Sequence, residues 1–186
     1  MSTEEAKAPC EDGPIVTSSL MPIDKGGLAE LIKKGEADPT AVKTLKCRTV
    51  AEGKFRHLNY IRNLEPHIID EPPVLLGDDT APNPSEALLA ALGSCLAVGI
   101  HANCVARSIT VTSLEVSLEA DINITAVWGT GDTSPKPMGF DEVRVKVDLE
   151  ADAPREELEA IVAHARKWSP VACTYEKPVP VIAELV

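Results

Sequence analysis

Apolar residues recur at every second position from Leu114 through Val116, Leu118, Ala120, Ile122 and Ile124 to Ala126, and again at Val143, Val145, Val147 and Leu149. Strict period two marks strands with one buried face, so two long strands are predicted, separated by a Gly- and Pro-bearing loop. Ahead of them, residues 87–100 include no charged side chain. That run predicts a helix that is apolar all round. Asn83 is placed to cap it, Pro84 suits its first turn, and Glu86 sits where a capping-box carboxylate reaches back. The helix is expected to end near Arg107.

The remaining pattern is shorter-ranged. Residues 45–51 and 55–62 flank Glu52-Gly53-Lys54 and predict a hairpin, and residues 67–70 a third short strand closed by Pro72-Pro73. Residues 154–167 read as an amphipathic helix with Leu158, Ile161, Val162, Ala165 and Trp168 on one stripe. Ser169-Pro170 interrupts it. Residues 178–182 carry two prolines and predict an edge strand, since proline removes ladder donors. Long alternating strands with two substantial helices favour an α+β class with antiparallel sheets. Residues 1–44, polar and rich in Gly and Pro with one helical stretch at 27–34, read as an extension of the domain formed by 45–186. One sheet covers one side of a wholly apolar helix, so its other side calls for a second layer. A second copy supplies it most simply, which predicts a homodimer.

Composition narrows the partners. Aromatics are 3% of the chain against 44% hydrophobic residues, so the core is expected to be built from Ala, Val, Leu and Ile. The net charge of -11, with no cluster of Lys and Arg, argues against nucleic acid and anionic membranes. The first residues lack the basic start and apolar run of a secretory signal, and no apolar run reaches the roughly 20 residues that span a bilayer. Five cysteines (Cys10, Cys47, Cys95, Cys104 and Cys173) are dispersed, without a CxxC pair. Free thiols in a reducing cytoplasm are the expected state.

Cys95, in the middle of the apolar helix, is the candidate for chemistry. Buried cysteines commonly serve as small hydrophobes. A reactive one needs a nearby cation or a helix amino terminus. Mid-helix, the cation has to come from the early strands (Arg48, Arg56, Arg62) or from another chain. Cys104 is roughly 13.5 Å further along the same helix and cannot pair with Cys95. His101 and Cys104 share a helix face, but two ligands make a weak metal site. Glu86, nine residues before Cys95, points the other way in a straight helix, and capping is its simplest role.

Taken together, Ile69-Asp70-Glu71-Pro72, Leu76-Gly77, Asn83-Pro84-Ser85-Glu86, Ala91-Leu92-Gly93-Ser94-Cys95, Trp168-Ser169-Pro170-Val171 and Pro178-Val179-Pro180-Val181 resemble the OsmC/Ohr family of organic hydroperoxide resistance proteins, over residues 45–186. The resemblance implies an α+β fold with antiparallel sheets and buried central helices in an intertwined homodimer. It also implies a thiol peroxidase that reduces organic hydroperoxides without a resident cofactor, with Cys95 as the attacking thiol. An arginine, best matched by Arg56, and a glutamate hold thiolate and peroxide in that family. The glutamate position is Ser85 here, with Glu86 one place off. The resolving cysteine position is Ser169, leaving Cys173 as the alternative. An external dithiol, often on a lipoylated protein, is the implied reductant, and a small-molecule thiol is the other route of resolution. A non-catalytic relative binding a small apolar ligand at the dimer seam is the alternative from another class, and a partner-binding protein using residues 1–44 is a third.

Overall fold

The computed structural model describes residues 20, 21 and 23–186. The amino-terminal extension therefore falls partly outside the described residues, and Cys10 wholly so. Its described part forms α1 (Lys25–Ala37), capped by Asp24, whose carboxylate accepts from the Gly26 amide at 3.0 Å. This helix leans on α2 and buries none of its own residues.

Three short strands, β1 (Arg48–Gly53), β2 (Arg56–Tyr60) and β3 (His67–Ile69), form one antiparallel sheet in that order. Gly53 pairs with Arg56, so the β1–β2 turn is Lys54-Phe55, one residue beyond Glu52-Gly53-Lys54, and Lys54 adopts a positive φ of 47° in it. A single 3-10 turn (Pro73–Leu75) leads to α2 (Pro84–Ala106), the central helix. Then β4 (Val111–Asn123) and β5 (Gly139–Ala151) form a long antiparallel ribbon. The alternating residues pair across it: Leu114 opposite Leu149, Val116 opposite Val147, Leu118 opposite Val145, and Ala120 opposite Val143. The period-two pattern of each strand thus becomes one continuous apolar face.

On that face lies α2, flanked by α3 (Arg155–Trp168) and α4 (Pro170–Tyr175). Two core clusters run along it. Ile100, Cys104, Ile109, Val111, Ile161 and Ala165 fill one end, and Leu92, Leu96 and Ala172 the other. Glycine sets the closeness of the packing: a Cβ on Gly99 would lie 3.2 Å from the Ala165 Cβ. By length and composition α2 is apolar enough to cross a bilayer. Within this fold it is the element around which the ribbon, α3 and α4 assemble.

Three sequence-based expectations change. The long strand ends at Asn123 rather than Ala126, because the buried Asn123 amide donates to the Lys136 and Pro137 carbonyls and its oxygen accepts from Thr125, which turns the chain. Residues 178–182 join neither sheet. Pro178 and Pro180 offer no amide, and Val181 and Ile182 stay exposed. Trp168, assigned to the apolar stripe of α3, is 67% exposed at the last position before the chain breaks.

Candidate active site

Cys95 is half-buried midway along α2, at a point where every backbone donor of the helix is already used within it. Any polar partner for its sulfur must come from another element. That element is the break between α3 and α4. Pro170 disfavours helical geometry in the residue before it, so Ser169 takes an extended conformation (φ -70°, ψ 118°), ending α3 and capping α4. Its hydroxyl oxygen accepts from the Ala172 amide at 3.1 Å. The same hydroxyl donates to the Cys95 sulfur at 3.1 Å. Ser169 is 3% exposed, so water does not compete strongly for either bond.

The other thiols are held elsewhere. Cys173 sits one turn along α4, half-buried, and donates to the Lys167 carbonyl at 3.6 Å, facing the end of α3. Cys104 is fully buried in the core, where desolvation pushes its thiol up from the ordinary range. Cys47 is exposed ahead of β1.

Arg56 and Glu86 are engaged away from the sulfur. The Arg56 guanidinium donates to Glu52 at 2.7 Å and to the Thr80 hydroxyl at 2.5 Å. Thr80 in turn donates its hydroxyl and its amide to Asp70, at 2.7 and 3.1 Å. Asp70 is completely buried and also accepts from the Glu71 amide. These bonds, the Thr80 hydroxyl foremost, draw its carboxyl down to about 2. Glu86 closes the capping box, accepting from the Asn83 amide at 2.8 Å while Asn83 accepts from the Glu86 amide at 2.9 Å. Among the described residues no ion pair or hydrogen bond joins Arg56, Glu86 or Cys173 to Cys95. Nor, among them, are three or more His, Cys, Asp or Glu grouped to hold a metal.

Sequence reasoning marked Ser169 only as an unexpected residue. That proline would turn the preceding hydroxyl onto a neighbouring helix was not readable from spacing. Asp70 and Thr80, which set the loop entering α2, were missed. The available signal was an aspartate ending a strand with a threonine ten residues on, closing a loop rich in proline.

Residues 77–184 match the family model described as OsmC-like protein. The solved structure of an OsmC-like protein from Mycoplasma pneumoniae superposes with a TM-score of 0.61 at 14% identity, covering 73% of this chain and 89% of that one. An OsmC-like protein of unknown function from Vibrio cholerae gives 0.58 at 14% identity, covering 72% and 94%. At such identities the likeness establishes the fold. No curated protein matches the sequence.

Proposed function

The chain belongs to the OsmC-like family, and from that premise we propose that it is a cysteine-dependent peroxidase reducing organic hydroperoxides to alcohols. The observation that carries the reading is the buried Ser169 hydroxyl aimed at the Cys95 sulfur. A donor so placed can hydrogen-bond the thiolate, the form that attacks peroxides. In the proposed step the thiolate bonds to the outer peroxide oxygen and the O–O bond breaks. The alkoxide takes up a proton and leaves as the alcohol, and the sulfur, oxidised by two electrons, becomes a sulfenic acid. An external dithiol then restores the thiol, releasing water and leaving as a disulfide. That cycle needs a reducing compartment such as the cytoplasm. Apolar surroundings favour alkyl peroxides over hydrogen peroxide.

The same reading includes a homodimer. Leu88 and Val98 on α2, Trp168, and Val179, Val181 and Ile182 are large apolar side chains open to water in one copy. These exposed apolar side chains, two of them on the central helix, suit burial against a second copy. We place the cation that the thiolate needs in that second copy, since Arg56 is tied to Glu52 and Thr80.

The test is turnover of cumene hydroperoxide with dithiothreitol or dihydrolipoamide, native protein against Cys95→Ser. Loss of at least about a hundredfold is expected for removal of the attacking group. Equal rates remove the peroxidase reading.

One observation favours a second reading, a non-catalytic protein that binds a small apolar ligand. A cleft of about 600 Å³ between α2, α3 and β5 is lined by Leu96, Ile100, Val145, Val147, Leu158 and Val162, and Cys95 does not line it. Tight binding of an apolar fluorophore to protein that does not turn over peroxide would favour this reading.

A further inference from the structure

We infer that Cys95 works as a single thiol supported by the Ser169 hydroxyl, and that its oxidised form is captured by a thiol from outside the chain. The inference rests on the peroxidase reading and specifies how that site is turned over.

The geometry has two parts. First, Ser169 has one proton to give. Its oxygen accepts from the Ala172 amide, and its proton is donated to the Cys95 sulfur at 3.1 Å. A hydrogen bond to an ionised sulfur is stronger than one to a neutral thiol. The serine is therefore placed to hold the attacking sulfur, and it still has an acceptor once the sulfur carries a hydroxyl. Because it touches the reacting atom, Ser169 is a catalytic residue in this scheme.

Second, no other thiol among the described residues stands at the sulfur. The position against Cys95 is filled by a hydroxyl, which cannot form a disulfide. Cys173 faces the Lys167 carbonyl, and a bond from it to Cys95 requires sulfurs about 2 Å apart, hence loss of that contact. Cys104 is sealed in the core, and Cys47 lies on the exposed segment before β1.

The sulfenic acid is then attacked by an external thiolate. A sulfur–sulfur bond forms, the sulfur–oxygen bond breaks, and hydroxide leaves as water with the proton that the incoming thiol gave up. A second thiolate, from another monothiol or from the other end of a dithiol, attacks the external sulfur of this mixed disulfide. It frees Cys95 and departs as the oxidised reductant. Both reducing electrons come from outside.

The experiment uses the full chain. After one equivalent of cumene hydroperoxide and then 2-mercaptoethanol, peptide mass spectrometry should find 2-mercaptoethanol on Cys95. A disulfide from Cys95 to any cysteine of the chain overturns the single-thiol scheme. Separately, alkylation of Cys95 by iodoacetamide at neutral pH should slow about tenfold in Ser169→Ala, the loss of one hydrogen bond to a charged group, and recover in Ser169→Thr. Unchanged alkylation in folded Ser169→Ala overturns the role of the serine. Ser169→Cys, with a sulfur where the hydroxyl stands, should form a disulfide with Cys95 on first oxidation, and failure to do so overturns the placement. Alkylation needs no peroxide turnover. Native protein that is inactive yet shows the Ser169 effect sinks the peroxidase reading and not the contact.

Discussion

Thr80 binds Asp70 twice, through its amide at 3.1 Å and its hydroxyl at 2.7 Å, and closes the loop that delivers the chain from β3 to the central helix. The Asp70 amide also donates to the Pro82 carbonyl, next to the helix cap. The loop is therefore a fixed bracket for α2, and the position of Cys95 depends on it.

Acid should loosen this bracket. Ionised Asp70 is held well below its ordinary value of 3.8, at about 2, so its folded form binds the proton less readily than the unfolded chain does. The stability it contributes is complete above the ordinary value and lost as pH falls through the folded one. Urea midpoints measured from pH 5 downward should fall through that window in native protein, and less steeply in Asp70→Asn. Parallel curves would contradict the assignment.

The neighbouring carboxylate acts with the opposite sign. Burial first, then the charges of Glu86 and Asp70, push Glu71 above its ordinary value, and one of its oxygens is buried without a partner. Its ionised form is thus a cost near neutral pH that disappears once acid protonates it in both states. Glu71→Gln should raise the melting temperature at neutral pH, with the gain shrinking as pH falls towards 4. A lower melting temperature at neutral pH counts against this account.

Gly77 lies against the same loop. A Cβ there would sit 1.8 Å from the Glu71 carbonyl oxygen, which is backbone and cannot swing aside. Gly77→Ala should cost about 3 kcal/mol, the upper range for overpacking. Chemical denaturation would check it, and a cost below about 1 kcal/mol would mean that the loop adapts.

Thiol reactivity should follow environment. Exposed Cys47 should react with a chromogenic disulfide first, and Cys104, fully buried with its thiol pushed up, only on unfolding. Rapid labelling of Cys104 in folded protein would show that the core around Ile100 and Ile161 opens.

The homodimer is tested at Val98, which is 68% exposed in one copy and one helical turn from Cys95. Val98→Asp would bury an unpaired charge in the seam and should weaken association at least about tenfold, read by sedimentation. Native protein that stays monomeric at every accessible concentration would remove the homodimer.

The amino-acid order by itself determined the elements whose information is local. Asn83, Pro84 and Glu86 start α2 as a capping box, and the alternation from Leu114 and from Val143 yields two strands in matched register. Both rest on periodicity and capping, which act within a few residues. It also singled out Cys95, because a lone thiol in an uncharged helix stands out without knowledge of its neighbours. What tertiary structure alone decided is what surrounds that sulfur. Ser169 reaches it across 74 positions of sequence because Pro170 breaks the chain where α4 packs on α2, while Arg56 and Glu86 are drawn to nearer charges and amides. Hydrogen bonds between distant side chains depend on how helices and loops pack, and packing leaves no period in the sequence.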